Sequence, residues 1–164
     1  YDSTTDTNAL TITLASLATS STRVVGREST AIANGSNLYV DALVRGQIMT
    51  GSATLTASLI DIWLYASLKI ASSTATYPSP VTGSDAAITF VAETIQRMML
   101  VDSIATNTTA NTAYAIKPFS VAAMFGGIMP INWGIVVAHS TGQNLNATAG
   151  NHWIHYTGIK YTST

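Results

Sequence analysis

Apolar and polar residues alternate with a period of two along much of this chain. The clearest run lies between Leu55 and Lys69. Ile60, Ile62, Leu64, Ala66 and Leu68 occupy one phase; Asp61, Trp63, Tyr65, Ser67 and Lys69 occupy the other. A helix would scatter these positions around its circumference, whereas a strand sends alternate side chains to opposite faces. The pattern predicts a central strand whose Ile60, Ile62, Leu64 and Leu68 face is buried. Its second face, two aromatics between two charges, is half-wet or packs on a neighbour.

The same reading extends along the chain. Residues 1–9 are polar and predict an arm or a poorly ordered tail. Leu10, Ile12 and Leu14 alternate with Thr11 and Thr13 as a first strand, followed by a linker over residues 16–22. Strand character returns at Arg23-Val24-Val25 and is broken by Gly26. Asn34-Gly35-Ser36-Asn37 is a turn. It launches a strand from Leu38 to Met49 with Leu38, Val40, Ala42 and Val44 on one side, and Thr50-Gly51-Ser52 turns again. Residues 71–85, rich in Ser, Thr, Pro and Gly, read as a long loop. Two strands follow at Ala87–Val91 and Arg97–Val101, and residues 102–113 form a second polar loop. Ser120 can cap a helical turn from Val121 to Phe125 that Gly126 closes in the left-handed conformation. A strand from Trp133 to His139 follows Pro130, and a last one runs from about His152 to Tyr161. The prediction is an all-β, antiparallel sandwich or jelly-roll-like fold of seven to nine strands with one short helix. Residues 1–22 form an N-terminal arm and first strand, and residues 23–164 a single β-sandwich domain.

Composition sharpens this picture. Only 9% of the 164 residues are charged, against 47% apolar, and about a quarter are Ser or Thr. An average globular domain is about one-quarter charged. Hydroxyls stand in for charge here, which suits pleated surfaces and also surfaces covered by other copies or partners, since interface cores are depleted in charge. The seven basic residues are scattered and the net charge is −1, so no basic field for nucleic acid is expected. With no Cys there are no disulfides, thiolate metal sites or Cys nucleophile. No apolar run reaches the ~18 residues of a membrane span. The polar, acidic start carries no signal-peptide pattern, and its first residue, Tyr1 rather than Met, predicts a trimmed or processed start. The composition points to an assembly-forming structural protein.

Candidate chemistry is thin. His152 and His155 could share a metal on a helix, but on a strand they point apart, and no third ligand lies nearby. His139, with the many Ser and Asp, permits a hydrolytic triad on paper without any Gly-x-Ser-x-Gly elbow. Asp41 and Asp61 sit mid-strand on what read as neighbouring strands; they are either a carboxylate pair or, by the plainer reading, partners of Arg45 or Lys69. Trp63, Tyr65, Trp133, Trp153 and Tyr156 could offer stacking faces to a carbohydrate, but their phases differ, and the plainer reading is core or inter-subunit packing. Asn-x-Ser/Thr triplets at Asn34, Asn107 and Asn146 are no more than this composition yields by chance. No catalytic, cofactor-binding or metal residue is nominated, and the binding residues are unknown.

The C-terminal third is less generic. Lys117-Pro118-Phe119-Ser120-Val121-Ala122-Ala123-Met124-Phe125-Gly126-Gly127 is followed by Met129-Pro130-Ile131-Asn132-Trp133-Gly134 and a hydrophobic strand to His139. Thr141-Gly142-Gln143-Asn144-Leu145 and the closing His152-Trp153-Ile154-His155-Tyr156-Thr157-Gly158-Ile159 complete the order. With Gly26-Arg27-Glu28-Ser29-Thr30 and Asn37-Leu38-Tyr39, this resembles small virion proteins of tailed bacteriophages from about Arg23 onward. The resemblance implies a non-enzymatic β-sandwich or jelly-roll subunit of the virion, best placed as a decoration (cement) protein on the capsid exterior. Its implied partners are the major capsid protein and itself, typically as a homotrimer, with no cofactor, nucleic acid or membrane. The alternative is a head-fibre, tail or adsorption-apparatus subunit that binds a host glycan. Low charge and the Trp63/Tyr65 face point separately to self-association, with closed symmetry the usual outcome.

Overall fold

The computed structural model describes residues 7–67, 69–71 and 74–161. Within them lie twelve strands: β1 (Thr7–Ala9), β2 (Val25–Glu28), β3 (Ile32–Ala33), β4 (Asp41–Met49), β5 (Leu59–Ala66), β6 (Lys69–Ala71), β7 (Thr74–Thr76), β8 (Ala86–Thr89), β9 (Met99–Ala105), β10 (Ala113–Ser120), β11 (Asn132–His139) and β12 (Trp153–Ile159). Two short helices, α1 (Ala92–Arg97) and α2 (Val121–Met124), and a 3-10 turn at Ala149–Asn151 complete the elements. The fold is an all-β sandwich of two antiparallel sheets.

The strand order has a simple logic. One sheet runs β1-β12-β4-β10 and the other β8-β2-β11-β5-β9, with β3 also on β11. If β3 and β6–β8 are set aside, eight framework strands remain. The first pairs with the eighth (β1 with β12), the second with the seventh (β2 with β11), the third with the sixth (β4 with β10) and the fourth with the fifth (β5 with β9). This is one long hairpin, rolled so that β12 also pairs with β4 and β11 with β5. That rolled hairpin is the jelly-roll arrangement of two Greek keys.

The main core lies between the sheets. Ala42, Val44 and Ile48 of β4, Ile116 of β10, and Ile154 and Tyr156 of β12 meet Ile60, Ile62 and Leu64 of β5 and Trp133, Ile135 and Val137 of β11. Ile60, Ile62 and Leu64 are fully buried, as the alternation predicts; Leu68 lies outside the described residues. Leu10 and Leu14 pack into the same core.

The opposite face of β5 is largely covered by the chain itself. The segment between β5 and β9 folds back over it, and Val81, Ile88, Phe90 and Met98 form a second core with Tyr65, Val136 and Ala138. Trp63 meets Phe90 edge-on at 6.0 Å, and Tyr65 meets Tyr77 edge-on at 5.5 Å. β5 and β11 are therefore buried on both faces, which explains their nearly unbroken apolar runs. Glu28 pins this layer. Its buried carboxylate accepts hydrogen bonds from the Thr82 amide (3.1 and 3.0 Å), the Thr82 hydroxyl (2.9 Å) and the Gly83 amide (3.0 Å).

Several local expectations are corrected. Leu10–Leu14 keeps its alternating burial but joins no ladder, because it crosses from one sheet to the other. Leu10 donates to the Ile154 carbonyl, Thr11 accepts from Thr30, and Thr13 bonds Asp85. Gly26 does not break β2; it sits inside the strand, where a Cβ would collide with the Val137 carbonyl oxygen. β4 starts at Asp41, leaving Leu38 outside the sheet. The expected loop over 71–85 contributes to a β6–β7 hairpin. α1, only six residues long, is too short to show a helical period. β9 runs on to Ala105, and β10 was missed because Lys117 and Pro118 interrupt it. Both lie in a bulge on an edge strand, where a missing N–H is tolerated. Of the predicted arm, residues 1–6 lie outside the described residues, and Thr7–Ala9 pair with β12.

Candidate functional site

Two turns at one end of the sandwich push apolar side chains into solvent. In the first, the Asn34 side chain brackets Tyr39, accepting from its amide (2.8 Å) and donating to its carbonyl (2.9 Å). The Leu38 amide donates to the Asn34 carbonyl at 2.9 Å. The closed turn holds Leu38 at a φ of 54°, a left-handed conformation that is uncommon for a branched residue. In the second, Ser120 caps α2 by accepting from the Ala123 amide at 2.9 Å. Gly126 and Gly127, at φ of 69° and 88°, then end the helix, with the Gly127 amide donating to the Ala122 carbonyl at 2.8 Å. This is the helix stop that the sequence predicts, and it delivers Ile128 to the tip.

Large apolar side chains of these turns and of the segments beside them face water: Tyr161 is 89% exposed, Ile128 75%, Leu38 73% and Ile131 43%. Beside them lies an open depression of about 730 Å³, lined by Tyr39, Val40, Asp41, Ala122, Ile128 and Tyr161 among others. A second depression, of about 440 Å³, touches the same Ile128 and is lined by Arg97, Phe125 and Pro130. Ile128 therefore stands as a ridge between two hollows. Among the described residues the one carboxylate in the larger hollow is committed: Asp41 accepts from the Ser120 hydroxyl (2.7 Å) and from the Ala122 and Ala42 amides (2.9 and 2.7 Å). Lys160 places its ammonium 5.0 Å from the centre of the Tyr39 ring. Such a surface can adhere to another apolar surface; its polar groups are spent on holding the turns.

The other nominated residues do not converge here. Asp41 and Asp61 lie in different sheets, so they form no pair, and among the described residues neither takes Arg45; the Lys69 side chain lies outside what the structure describes. Asp61 instead binds Arg23 at 2.7 Å and accepts from Ser103. His139 is fully buried. Its ring nitrogens meet the Thr141 hydroxyl and the Leu17 carbonyl, each at 3.0 Å, so no serine or aspartate completes a triad. His152 precedes β12 and is bound to the Met49 amide and the Asn146 carbonyl, whereas His155 lies on the outer face of β12. Among the described residues no three or more His, Cys, Asp or Glu could hold a metal ion together. Asn34 is buried in its turn, the Asn107 side chain bonds within its own loop, and Asn146 accepts from the Thr148 amide and donates to the Asn111 side chain at 2.9 Å. Of the aromatics, Tyr65 and Trp133 are fully buried and Tyr156 nearly so, which leaves Trp153 as the exposed one. Comparison of the chain with protein-family models, curated proteins and solved structures returns no match.

Burial holds the His139 imidazole below its ordinary pKa of 6.5, outweighing the Leu17 hydrogen bond that pulls the other way. The neutral ring donates to the Leu17 carbonyl through Nε2, while the Thr141 hydroxyl beside Nδ1 donates to the Gln143 carbonyl at 3.1 Å. Because the folded-state value is depressed, this stability is present above pH 6.5 and is lost as pH falls through the folded-state value. Stability, read as melting temperature, is expected to fall as pH drops below 6.5, by at most about 1.4 kcal/mol per pH unit. The drop should flatten in His139→Gln; a variant with the wild-type slope would assign it elsewhere.

Proposed function

We propose that this chain is a non-enzymatic structural subunit of a bacteriophage virion, a decoration or cement protein on the exterior of the head. It would contact the capsid, and copies of itself in a symmetric trimer, through the end carrying Leu38, Ile128 and Tyr161. The observation that carries the reading is that end. Two independently closed turns each spend backbone strain or glycine to hold a branched apolar side chain in water, where it gains nothing unless it is covered. The rolled-hairpin fold supports the reading only generally, since jelly rolls serve capsids, lectins and cupins alike. The phage-like order of residues from Arg23 onward adds to it. The Trp63/Tyr65 face offers no support for self-association, because the chain's own second core covers it.

The physics of such a role is undemanding. A shell presents the same surface many times, so modest apolar contacts suffice once subunits are linked to one another and bind together. Leu38→Asp combined with Ile128→Asp is expected to weaken binding to undecorated capsids at least ~10-fold, since two exposed apolar anchors are replaced by charges. Light scattering should show loss of the trimer, while the melting temperature stays near wild type because neither side chain is in a core. Unchanged capsid binding by a folded double variant would remove this end as the contact and, with it, the main support for the reading.

A further inference from the structure

The outer face of the β1-β12-β4-β10 sheet is not covered by the second core, and its chemistry differs from that of the rest of the chain. Register places His155 of β12 opposite Arg45 of β4, and Trp153 opposite Gln47. On β10, Ala115 stands opposite Gln47, and Lys117 follows in the bulge that falls beside Arg45. Two adjacent rows therefore cross three strands. One is His155, Arg45 and Lys117; the other is Trp153, Gln47 and Ala115. Neighbouring strands lie about 4.8 Å apart, so each row is contiguous, and Gln47 stands between the indole and Ala115.

Among the described residues, charge on this face is one-sided. Arg45 and Lys117 are exposed, and among the described residues neither has a carboxylate partner; the two ion pairs there are Arg23–Asp61 and Arg27–Asp85. Asp41, at the far end of β4, is committed to Ser120 and Ala122. Trp153 is 39% exposed and tilts at 60° against the His155 ring with centroids 5.4 Å apart. Gln47 donates to the Asn151 carbonyl at 3.4 Å, leaving its amide oxygen as an acceptor on the face.

We propose that this face binds an acidic carbohydrate, with a sugar ring stacked on Trp153 and its anionic substituent held by Arg45 beside Lys117 and His155. A flat indole offers an apolar plate to the C–H face of a pyranose. A guanidinium offers a planar fork that matches a carboxylate, and the amide of Gln47 stands where a ring hydroxyl would fall. The inference does not rest on the capsid reading, which uses the opposite chemistry on another part of the surface. Nucleic acid is the poorer fit, because two cations neutralise too few phosphates to hold a strand.

The test uses the full chain with tetragalacturonate and sialyllactose as acidic probes, maltotetraose as the neutral one and an oligothymidylate as the nucleic-acid control. Trp133 is fully buried and Trp63 is packed against Phe90, so a change of tryptophan fluorescence on adding a ligand to this face reports mainly on Trp153. At least one acidic sugar is expected to bind and shift that fluorescence, with maltotetraose binding at least ~10-fold more weakly, as the loss of one charge-assisted pair implies. Trp153→Ala and Arg45→Gln should each lower affinity ~10-fold, the second also flattening the salt dependence, with melting temperatures unchanged. The proposal is overturned if neither acidic sugar binds at millimolar concentration. It is equally overturned if both variants bind like wild type, or if the oligothymidylate binds as tightly as the sugars.

Discussion

Leu64→Asp is expected to abolish the folded state. Leu64 is fully buried at the centre of β5, on the face that meets Val44, Ile48 and Ile154 across the sandwich. Removing the leucine forfeits about 2–3 kcal/mol of apolar burial. Burying an unpaired carboxylate adds several kcal/mol, so the total rivals the 5–15 kcal/mol that keeps a typical domain folded. Far-UV spectra should lose the strand signal and heating should show no cooperative transition. Leu100→Asp, on edge strand β9 where the side chain is 46% exposed, serves as the control and should melt within a few degrees of wild type. A Leu64→Asp variant that melts like wild type would refute the assignment of this face to the core.

The second large effect is expected at Glu28. Glu28→Ala leaves the Thr82 and Gly83 amides facing the space where four hydrogen bonds ended. Bonds to a charged acceptor contribute more than neutral ones, and orphaned buried donors are costly, so a loss of about 3 kcal/mol is expected. Glu28→Gln should recover little of it, because its amide nitrogen sets a donor against donors. Urea unfolding measures the loss. Limited proteolysis should show cleavage within residues 77–91 ahead of the main sandwich, since this carboxylate ties that layer down. A change below ~0.5 kcal/mol, with no new cleavage, would mean that the second core holds the segment without it.

Much of the strand content was legible because it is written locally. β5, β11 and β12 carry apolar residues either alternating or in unbroken runs, and α2 carries both its Ser120 cap and its Gly126 stop. β10 and α1 were not legible. Pro118 mimics a loop unless the strand is known to be an edge, and six helical residues show less than two turns of period. The apolar end is half-legible: the Asn34–Asn37 turn and a Gly126 stop are in the sequence, but alternation puts Leu38 within the strand, on one side with Val40, Ala42 and Val44. Its exposure depends on the Asn34 side chain closing around Tyr39, a contact that no alternation pattern encodes. Trp153 could not be told from the other aromatics, because phase along a strand says which residues share a face and not which face is covered.

The residue pattern alone was enough to require an antiparallel β protein with Ile60, Ile62 and Leu64 inside, because side-chain period and backbone preference act within a few residues. The partner of each strand was not in that pattern. Nothing near Thr7 announces Thr157, and nothing near Gly26 announces Ala138. The rolled pairing of first strand with last, the second core over Tyr65 and the bare outer face around Arg45 and Trp153 come from contacts far apart in the chain. Burial and hydrogen bonding choose among pairings only when the whole chain is present to compete for them.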